Sequence, residues 1–188
     1  LNINLKKQTD GTSPYCIMSI FAALATKATS PKVELVNTDI EINGAASSSA
    51  GRISNPFAYL FSKIGAKFYS VSLNQCNIHG TARVDWSLFE QMESVSISNS
   101  QISIGGCDYH GYYINAPKRL QITGATFTGR LGKYNTLVSV PNVKDYSHSI
   151  DNTTVDASVS KLFTTSPDRR HTRITNVRNR TTNRPITK

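Results

Sequence analysis

The most regular feature of the chain is an apolar-polar-apolar triplet followed by a bend residue and then by a further apolar residue. The clearest copy is Val95-Ser96-Ile97, with Asn99 at the bend and Ile102 after it. The first positions of the copies lie 38, 24, 25, 23 and 29 residues apart. A period of this length predicts a repeat architecture in which each copy packs against its neighbours. The first positions are Val33, Val71, Val95, Leu120, Val143 and Thr172, and the last two begin weaker copies.

A second marker, a pair of apolar residues, repeats with nearly the same period. Successive pairs lie 28, 25, 24 and 25 residues apart, and Ile20-Phe21 precedes the first of them by 40 residues. Because two independent markers share one period, coincidence is a poor explanation. The pairs are Leu60-Phe61, Leu88-Phe89, Tyr113-Ile114, Leu137-Val138 and Leu162-Phe163.

This period has a simple structural explanation. Side chains of a strand alternate between two faces, so Val95 and Ile97 point inward when Ser96 points outward. Asn and Gly tolerate the left-handed backbone conformation, so such a bend residue joins two strands at a sharp corner. Three strands with their connections use about 22–27 residues, which is one coil of a parallel β-helix. The bend residues are Asn37, Gln75, Asn99, Gly124, Ser147 and Asn176.

The predicted fold class is therefore all-β, a right-handed parallel β-helix of about six to seven coils. The bend residues are expected to form a ladder of side-chain amides along the stack. The longest step carries a small-residue insertion at 44–51, and only 22–28 and 55–63 are compatible with a short helix. Two buried columns are expected, one of Val33, Val71, Val95 and Leu120 and one of Leu35, Leu73, Ile97 and Ile122.

Two other folds explain the pattern less well. A β-sandwich or jelly roll has strands about every 8–12 residues but no fixed corner residue at this period. A leucine-rich repeat has a similar period but needs a leucine density that is absent here. In domain terms, 1–168 is predicted to be a β-helix fragment, and 169–188 its last coil with a basic C-terminal cap or linker. Because strand-like alternation starts at Leu1, we expect the chain to be a fragment of a longer protein.

Charge and composition narrow the classes of partner. The 188-residue chain has a formal net charge of +9. It has no run of about 18 apolar residues, so no membrane partner is expected. Basic residues are scattered until a terminal arginine run, unlike the clustered patch of a nucleic-acid-binding protein, so an acidic polysaccharide suits this charge better. The cysteines Cys16, Cys76 and Cys107 lack metal-type spacing and are expected to be small buried hydrophobic residues.

The short Val-x-Ile strands with Asn or Ser corners resemble the receptor-binding region of bacteriophage tailspikes and capsule depolymerases. The matching stretches are 60–79, 88–104 and 113–129. The resemblance is one of architecture and carries no diagnostic catalytic motif. It implies a homotrimer at the virion surface or in the extracellular space that binds, and in many members cleaves, bacterial surface polysaccharide.

Pectate lyases and polygalacturonases share this type of coil. Asn37-Thr38-Asp39 is similar to the Asn-Thr-Asp element of polygalacturonases. The paired-Asp and Gly-His-Gly elements of those enzymes are missing, so the match is incomplete. Asp39 also falls within the repeat, where an outward surface carboxylate is an ordinary feature.

The segments before the apolar pairs stack on one another in a β-helix, and three successive ones carry polar and aromatic residues. Aromatic faces can pack on sugar rings, and Arg or Lys pairs with the carboxylates of acidic sugars. Trp86 also has a purely structural explanation, because Val84, Trp86 and Leu88 alternate and the indole can fill the core. The candidate substrate-binding residues are Arg83, Trp86, Tyr109, Tyr112, Lys133 and Tyr134.

The same segments contain candidate catalytic groups. Asp85 and Asp108 lie on adjacent coils, where carboxylates about 5 Å apart suit retaining glycosidases and wider pairs suit inverting ones. His110, in the glycine-rich segment 105–113, can act as a base. Surface carboxylates and a solvated loop histidine are the common structural alternatives. The other histidines occupy dissimilar places in the repeat, so no metal site and no cofactor is expected.

The sequence thus favours a phage tailspike or tail-fibre segment that binds bacterial surface polysaccharide and carries groups able to cleave it. Two alternatives stay open, a non-catalytic fibre or adhesin whose coils serve as a spacer, and a pectin-type lyase or hydrolase. A trimer in solution favours the first two over the third. Release of product from a capsular polysaccharide separates the first from the second.

Overall fold

The computed structural model shows strands and no helix in the parts of the chain that it describes. These parts are residues 3–6, 32–43, 70–84, 89–90, 92–107, 113–129, 136–156 and 158–186. Their strands are β1 (Ile3–Lys6), β2 (Lys32–Val36), β3 (Asp39–Asn43), β4 (Ser70–Asn74), β5 (Asn77–Val84), β6 (Phe89–Glu90), β7 (Ser94–Ser98), β8 (Gln101–Cys107), β9 (Ile114–Asn115), β10 (Arg119–Thr123), β11 (Thr126–Thr128), β12 (Thr136–Ser139), β13 (Ser147–Asp151), β14 (Thr154–Val155), β15 (Lys161–Phe163), β16 (Thr172–Thr175) and β17 (Arg178–Asn179).

The strands form three parallel sheets, and neighbouring strands of a sheet come from successive coils. The first sheet holds β2, β4, β7, β10, β13 and β16, and the second holds β1, β3, β5, β8, β11, β14 and β17. The third holds β6, β9, β12 and β15. Because each strand pairs with its counterpart one coil later, the chain is a parallel β-helix, as the repeat predicts. Four coils show all three strands in the described residues, so the count of complete coils differs from the predicted six to seven.

One residue with a left-handed backbone makes the corner between the first and second sheets. Its N–H donates to the next coil, as Asn99 N does to Thr123 O at 2.9 Å. A positive φ favours Asn and Gly, which is why the sequence marks this position. Five of the six predicted bends are confirmed. The φ values are 49° at Asn37, 54° at Gln75, 47° at Asn99, 64° at Gly124, 43° at Asn152 and 51° at Asn176.

The inward columns of the first sheet are those expected. Val71 and Val95 are each 1% exposed, and Leu73 and Ile97 are fully buried. Parallel pairing continues each column from one coil to the next, so the apolar side chains stack instead of spreading over a surface. The confirmed columns are Val33, Val71, Val95 and Leu120, and Leu35, Leu73, Ile97 and Ile122.

The other two sheets complete the core. In the second sheet, the second residue of each of the strands β3, β5, β8, β11 and β14 points inward. These residues form the column Ile40, Ile78, Ile102, Phe127 and Val155. The apolar pairs mark the third sheet, as their period predicts, and are buried wherever they are described. Their second members form the column Phe89, Ile114, Val138 and Phe163.

The prediction for the coil of β13 was wrong in register. The pattern placed Val143 at the first position, Ser147 at the bend and Ile150 after the bend. The strand instead runs over Ser147–Asp151 and the corner is Asn152. Val143 lies before the strand and is 46% exposed.

The reason for this error is a polar residue at an inward position. His148 pairs with Leu120 and therefore occupies the place that Val71 and Val95 hold in earlier coils. With a histidine there, the apolar-polar-apolar triplet disappears from the sequence. Val143 was taken for its start because it is the nearest apolar residue at the expected spacing.

Small residues line the inside of the corner. Ser100 donates its hydroxyl hydrogen to Ser98 O at 2.7 Å, and Thr153 donates to Asp151 O at 2.8 Å. Cys76, at the same position, is 2% exposed with its Sγ 3.2 Å from Leu35 O. Cys76 is therefore a small buried residue, as expected. The two hydroxyl groups bond to a carbonyl of their own turn, whereas the Cys76 thiol contacts a carbonyl of the preceding coil.

After β17 the chain folds back over the end of the second sheet. Asn179 N donates to Arg184 O at 2.9 Å, and Ile186 N donates to Val177 O at 2.9 Å. The returning segment, 183–186, thus covers Val177, which is 2% exposed. The predicted insertion at 44–51 and the segments 22–28 and 55–63 lie outside the described residues.

Candidate functional site

Most of the predicted site lies outside the described residues. Only Arg83 falls on a described strand, near the end of β5. The others are Asp85, Trp86, Asp108, Tyr109, His110, Tyr112, Lys133 and Tyr134, and their roles stay predictions. The described strands show where the chain enters two of the segments that hold them.

Two of these segments start from paired positions on adjacent coils. Strands β5 and β8 remain paired to their ends, where Val84 lies opposite Cys107. The chain then enters 85–88 from one strand and 108–112 from the other. Paired residues on neighbouring strands lie about 4.8 Å apart. Both segments therefore start at the C-terminal ends of adjacent strands of the second sheet, one coil rise apart.

A β-bulge precedes this point. Gly80 pairs with Ile104 and Arg83 with Gly106, so three residue steps in β5 match two in β8. Gly80 has a φ of 151°, a region that only glycine enters easily. Bulges bend a strand and change the direction of the side chains beyond them, and they are common beside functional sites. The bulge therefore changes the direction of β5 before its last residues, Arg83 and Val84.

The third predicted segment leaves the sheet elsewhere. The last pair between β8 and β11 is Ser103 with Thr128, so 130–135 follows a strand that ends four residues short of Cys107 in this register. The Tyr113 hydroxyl donates to Thr128 O at 2.7 Å, which satisfies the carbonyl where the strand stops. The strands that precede the first two segments thus end at paired residues, and the strand that precedes the third ends at a different level.

One polar cluster in the described residues joins a carboxylate and an imidazole through a direct side-chain contact. Asp39 Oδ1 accepts a hydrogen bond from Asn77 Nδ2 at 2.7 Å, and Asp39 Oδ2 lies 3.2 Å from His79 Nε2. The hydrogen bonds from His79 and then from Asn77 hold the pKa of Asp39 below its ordinary value. Asp39 is thus an ionised acceptor, and Nε2 of His79 carries the hydrogen that it shares.

This cluster lies on the outer face of the second sheet. The side chains of Asp39 and His79 are 49% and 35% exposed, so a ligand can reach both. The arrangement suits hydrogen bonds to hydroxyl groups at an exposed surface.

Sequence reasoning noticed Asp39 but missed its partners. The repeat alignment already held the necessary signal, because stacking Ile40 on Ile78 places Asp39 beside Asn77. His79 follows as the diagonal neighbour on the same face. The long insertion between the two coils obscured this proximity.

Metal ligands, membrane spans and similarity to known proteins were the remaining possible indications of function. Among the residues that the structure describes, no group of three or more His, Cys, Asp or Glu side chains could hold a metal ion. The same part of the chain holds no helix with the length and apolar character needed to cross a membrane. Comparison of the chain with known protein families, with curated proteins and with solved structures found no match.

Proposed function

We propose that this chain is a segment of a phage tailspike or tail fibre that binds bacterial surface polysaccharide. The proposed site lies at the C-terminal ends of β5 and β8 in the second sheet. The observation that carries the proposal is the pairing of Val84 with Cys107, from which 85–88 and 108–112 both start. These segments hold two carboxylates, a tryptophan, two tyrosines and a histidine. Groups that leave a sheet one coil apart are within reach of a single sugar chain.

The outer face of the second sheet adds support, because it carries a row of polar residues over several coils. One outward row consists of Asp39, Asn77, Gln101, Thr126 and Thr154. Its hydrogen-bonding groups repeat about every 4.8 Å, the spacing of adjacent strands. An extended polymer with many hydroxyl groups can follow such a row.

The remainder of the proposal concerns context. The coil pattern resembles that of trimeric phage receptor-binding proteins, and the formal charge of +9 suits an acidic polymer. The proposed assembly is a homotrimer at the virion surface. Light scattering of the purified chain gives its mass, and a monomer at all concentrations would count against this part of the proposal.

The experiment for binding is titration calorimetry against a panel of acidic capsular polysaccharides. Tyr109→Ala is expected to weaken binding by about 1–3 kcal/mol, as truncation of an aromatic anchor does. Gln121→Ala is the matched control, because Gln121 is exposed on the outer face of the first sheet. Equal affinities of wild type and Tyr109→Ala would remove the site from the ends of β5 and β8.

Cleavage is tested separately. The proposal expects Asp108→Asn to bind polysaccharide but to release no new reducing ends or unsaturated sugars, because the amide keeps the shape and loses proton transfer. Wild-type rates in Asp108→Asn would exclude this carboxylate from catalysis. Absence of product from the wild-type protein across the panel would restrict the function to binding.

A second candidate function, a non-catalytic spacer fibre, is favoured by the first sheet. Over four successive coils, one of its outward rows carries the uncharged polar residues Ser72, Ser96, Gln121 and Ser149. This part of the row offers hydrogen bonds but no aromatic side chain and no carboxylate. Polysaccharide binding in the calorimetric panel decides between the two functions.

A further inference from the structure

The two long sheets end differently at the C-terminal end of the stack. In the second sheet, the returning segment 183–186 lies over Val177 and pairs antiparallel beside β17 through Arg178 and Pro185. In the first sheet, β16 is the last strand, and no described residue pairs with its outer edge. The end of the first sheet therefore lies one layer lower than the end of the second.

The backbone of β16 is left with hydrogen-bonding groups that face this missing layer. At five corners, the left-handed residue donates its N–H to the coil above, and Asn152 N donates to Thr175 O at 3.1 Å in this way. Asn176 occupies the same position in the last coil, and its N–H has no acceptor among the described residues. An unpaired strand edge of this kind can accept another strand.

The side chains show the same gap. Ile150 is fully buried, whereas Ile174, directly above it in the same column, is only partly buried. A groove of about 620 Å³ lies over this residue, and its lining includes Ile174, Asn176, Arg178 and Pro185. The groove is therefore where the next layer of the first sheet would lie, beside the returning segment.

The charge around the groove identifies the chemistry of its occupant. From residue 169 to the end, the chain has six arginines and one lysine and no acidic residue. Arg170 is already paired with Asp168 at 2.6 Å, but Arg169, Arg173 and Arg178 are exposed and have no carboxylate partner among the described residues. Arg173 points outward from β16, between the inward Thr172 and Ile174.

We propose that the edge of β16 binds an extended acidic segment of a partner protein as an added parallel strand. Alternation then fixes its pattern, with apolar residues over Thr172 and Ile174 and an acidic residue over Arg173. A second copy of this chain fits less well. Stacking its β2 on β16 would force its β3 into the layer that the returning segment occupies and its β1 into the layer of β17.

The test uses two short fluorescein-labelled peptides, one in which Glu alternates with Val and Ile, and one with Lys in place of each Glu. The Glu peptide is expected to bind the full chain, and Arg173→Glu to weaken that binding at least about tenfold through charge repulsion. The Lys peptide should bind Arg173→Glu better than it binds the wild type. Lys144→Glu is the matched control, because it makes the same charge change at an exposed loop position away from the groove.

A second measurement distinguishes strand addition from attraction of charge alone. In the bound state, amide exchange at Asn176 should slow, while exchange at Lys144 should not change. Failure of the Glu peptide to bind, an equal loss in Lys144→Glu, or unchanged exchange at Asn176 would overturn the proposal. Concentration-dependent dimers abolished by Arg173→Glu would assign the edge to a second copy and overturn it as well.

Discussion

The middle coils and the C-terminal coils use the same column of the first sheet in different ways. Val95 and Leu120 fill it with apolar side chains, whereas His148 and Thr172 continue it with polar ones. All four are at most 7% exposed, and the parallel register passes through them without a shift. The comparison teaches that the stack does not need every inward position to be apolar. Corner geometry and the remaining columns maintain the register.

His148 is accommodated by specific contacts. Its Nε2 donates to Pro117 O at 2.9 Å, and its ring stacks on Phe163 with centroids 6.0 Å apart. The Tyr146 ring lies 4.9 Å away and also contacts His171. Burial lowers the pKa of His148, because a charged imidazolium loses its hydration there. The C-terminal coils thus contain an ionisable group where the middle coils contain hydrocarbon.

The largest effect is expected from a charge placed in the middle column. Ile97 is fully buried, so Ile97→Asp places an unpaired carboxylate among apolar side chains and should cost several kcal/mol. We expect the variant not to fold, as circular dichroism and thermal melting can show. Ser96→Asp, one residue away on the outer face, should melt within a few degrees of the wild type. Normal folding of Ile97→Asp would refute the assigned column.

The C-terminal coils should respond to pH in a way that the middle coils do not. Because the folded pKa of His148 is lowered, the unfolded chain binds this proton more tightly. The free energy of unfolding should therefore be highest above the ordinary histidine pKa of about 6.5. It should fall below that pH, by at most about 1.4 kcal/mol per pH unit, until the folded pKa is passed.

Denaturant titrations between neutral and mildly acidic pH measure this dependence. His148→Leu should flatten the curve, since the proton-binding difference disappears. His171→Gln is the matched histidine variant and should keep the slope, because His171 is only partly buried. The same slope in His148→Leu and the wild type would show that another group causes the pH dependence.

A smaller effect is expected at the corner. Gly124 has a φ of 64°, and a Cβ there would lie 2.7 Å from Asn99 Oδ1. Gly124→Ala should cost about 1–2 kcal/mol, since alanine disfavours this backbone region and the Asn99 amide must move aside. Gly124→Asn meets the same neighbour but tolerates the backbone better, so it should cost less. Equal stability of Gly124→Ala and the wild type would contradict the corner geometry.

The smallest effect concerns the amide ladder. Asn176 Nδ2 donates to Asn152 Oδ1 at 3.1 Å, at an exposed position. Asn152→Gly keeps the left-handed corner and removes this bond together with the exposed one from Asn152 Nδ2 to Asp151 Oδ2, so it should lower stability by about 0.5–1 kcal/mol. Asn99→Gly removes no side-chain bond of this type in the described residues and should be close to neutral. Similar losses in both variants would show that the ladder contributes nothing.

The sequence predicted the parts of the fold that depend on local rules. Asn99 and Gly124 mark corners because few residues tolerate a positive φ, and Val95 with Ile97 marks a strand with one inward face. The rule failed at His148, because a buried polar residue is stabilised by Pro117 and Phe163, which the strand's own sequence does not reveal. A triplet pattern in the sequence does not reveal such contacts.

The candidate site was predictable only in part. The repeat predicts that 85–88 and 108–112 stack, and the described strands show that the residues preceding them, Val84 and Cys107, are paired. The bulge that follows Gly80 was not predicted, because an extra residue in one strand changes no pattern until the partner strand is known. The contact of Asp39 with His79 could be predicted only by aligning two coils that a long insertion separates in the sequence.

The most direct test of the central claim, that the stack keeps its register through His148, is a comparison of two engineered cysteine pairs. In the observed register Gln121 lies beside Ser149, with Cα atoms about 4.8 Å apart, inside the range that a disulfide can span. The register with Val143 at the first position would instead place Gln121 beside Lys144. Mild oxidation followed by mass spectrometry of the digest identifies the linked peptides.

We predict a 121–149 disulfide in Gln121→Cys/Ser149→Cys and no intramolecular link in Gln121→Cys/Lys144→Cys. Linkage of the second pair and not the first would contradict the account.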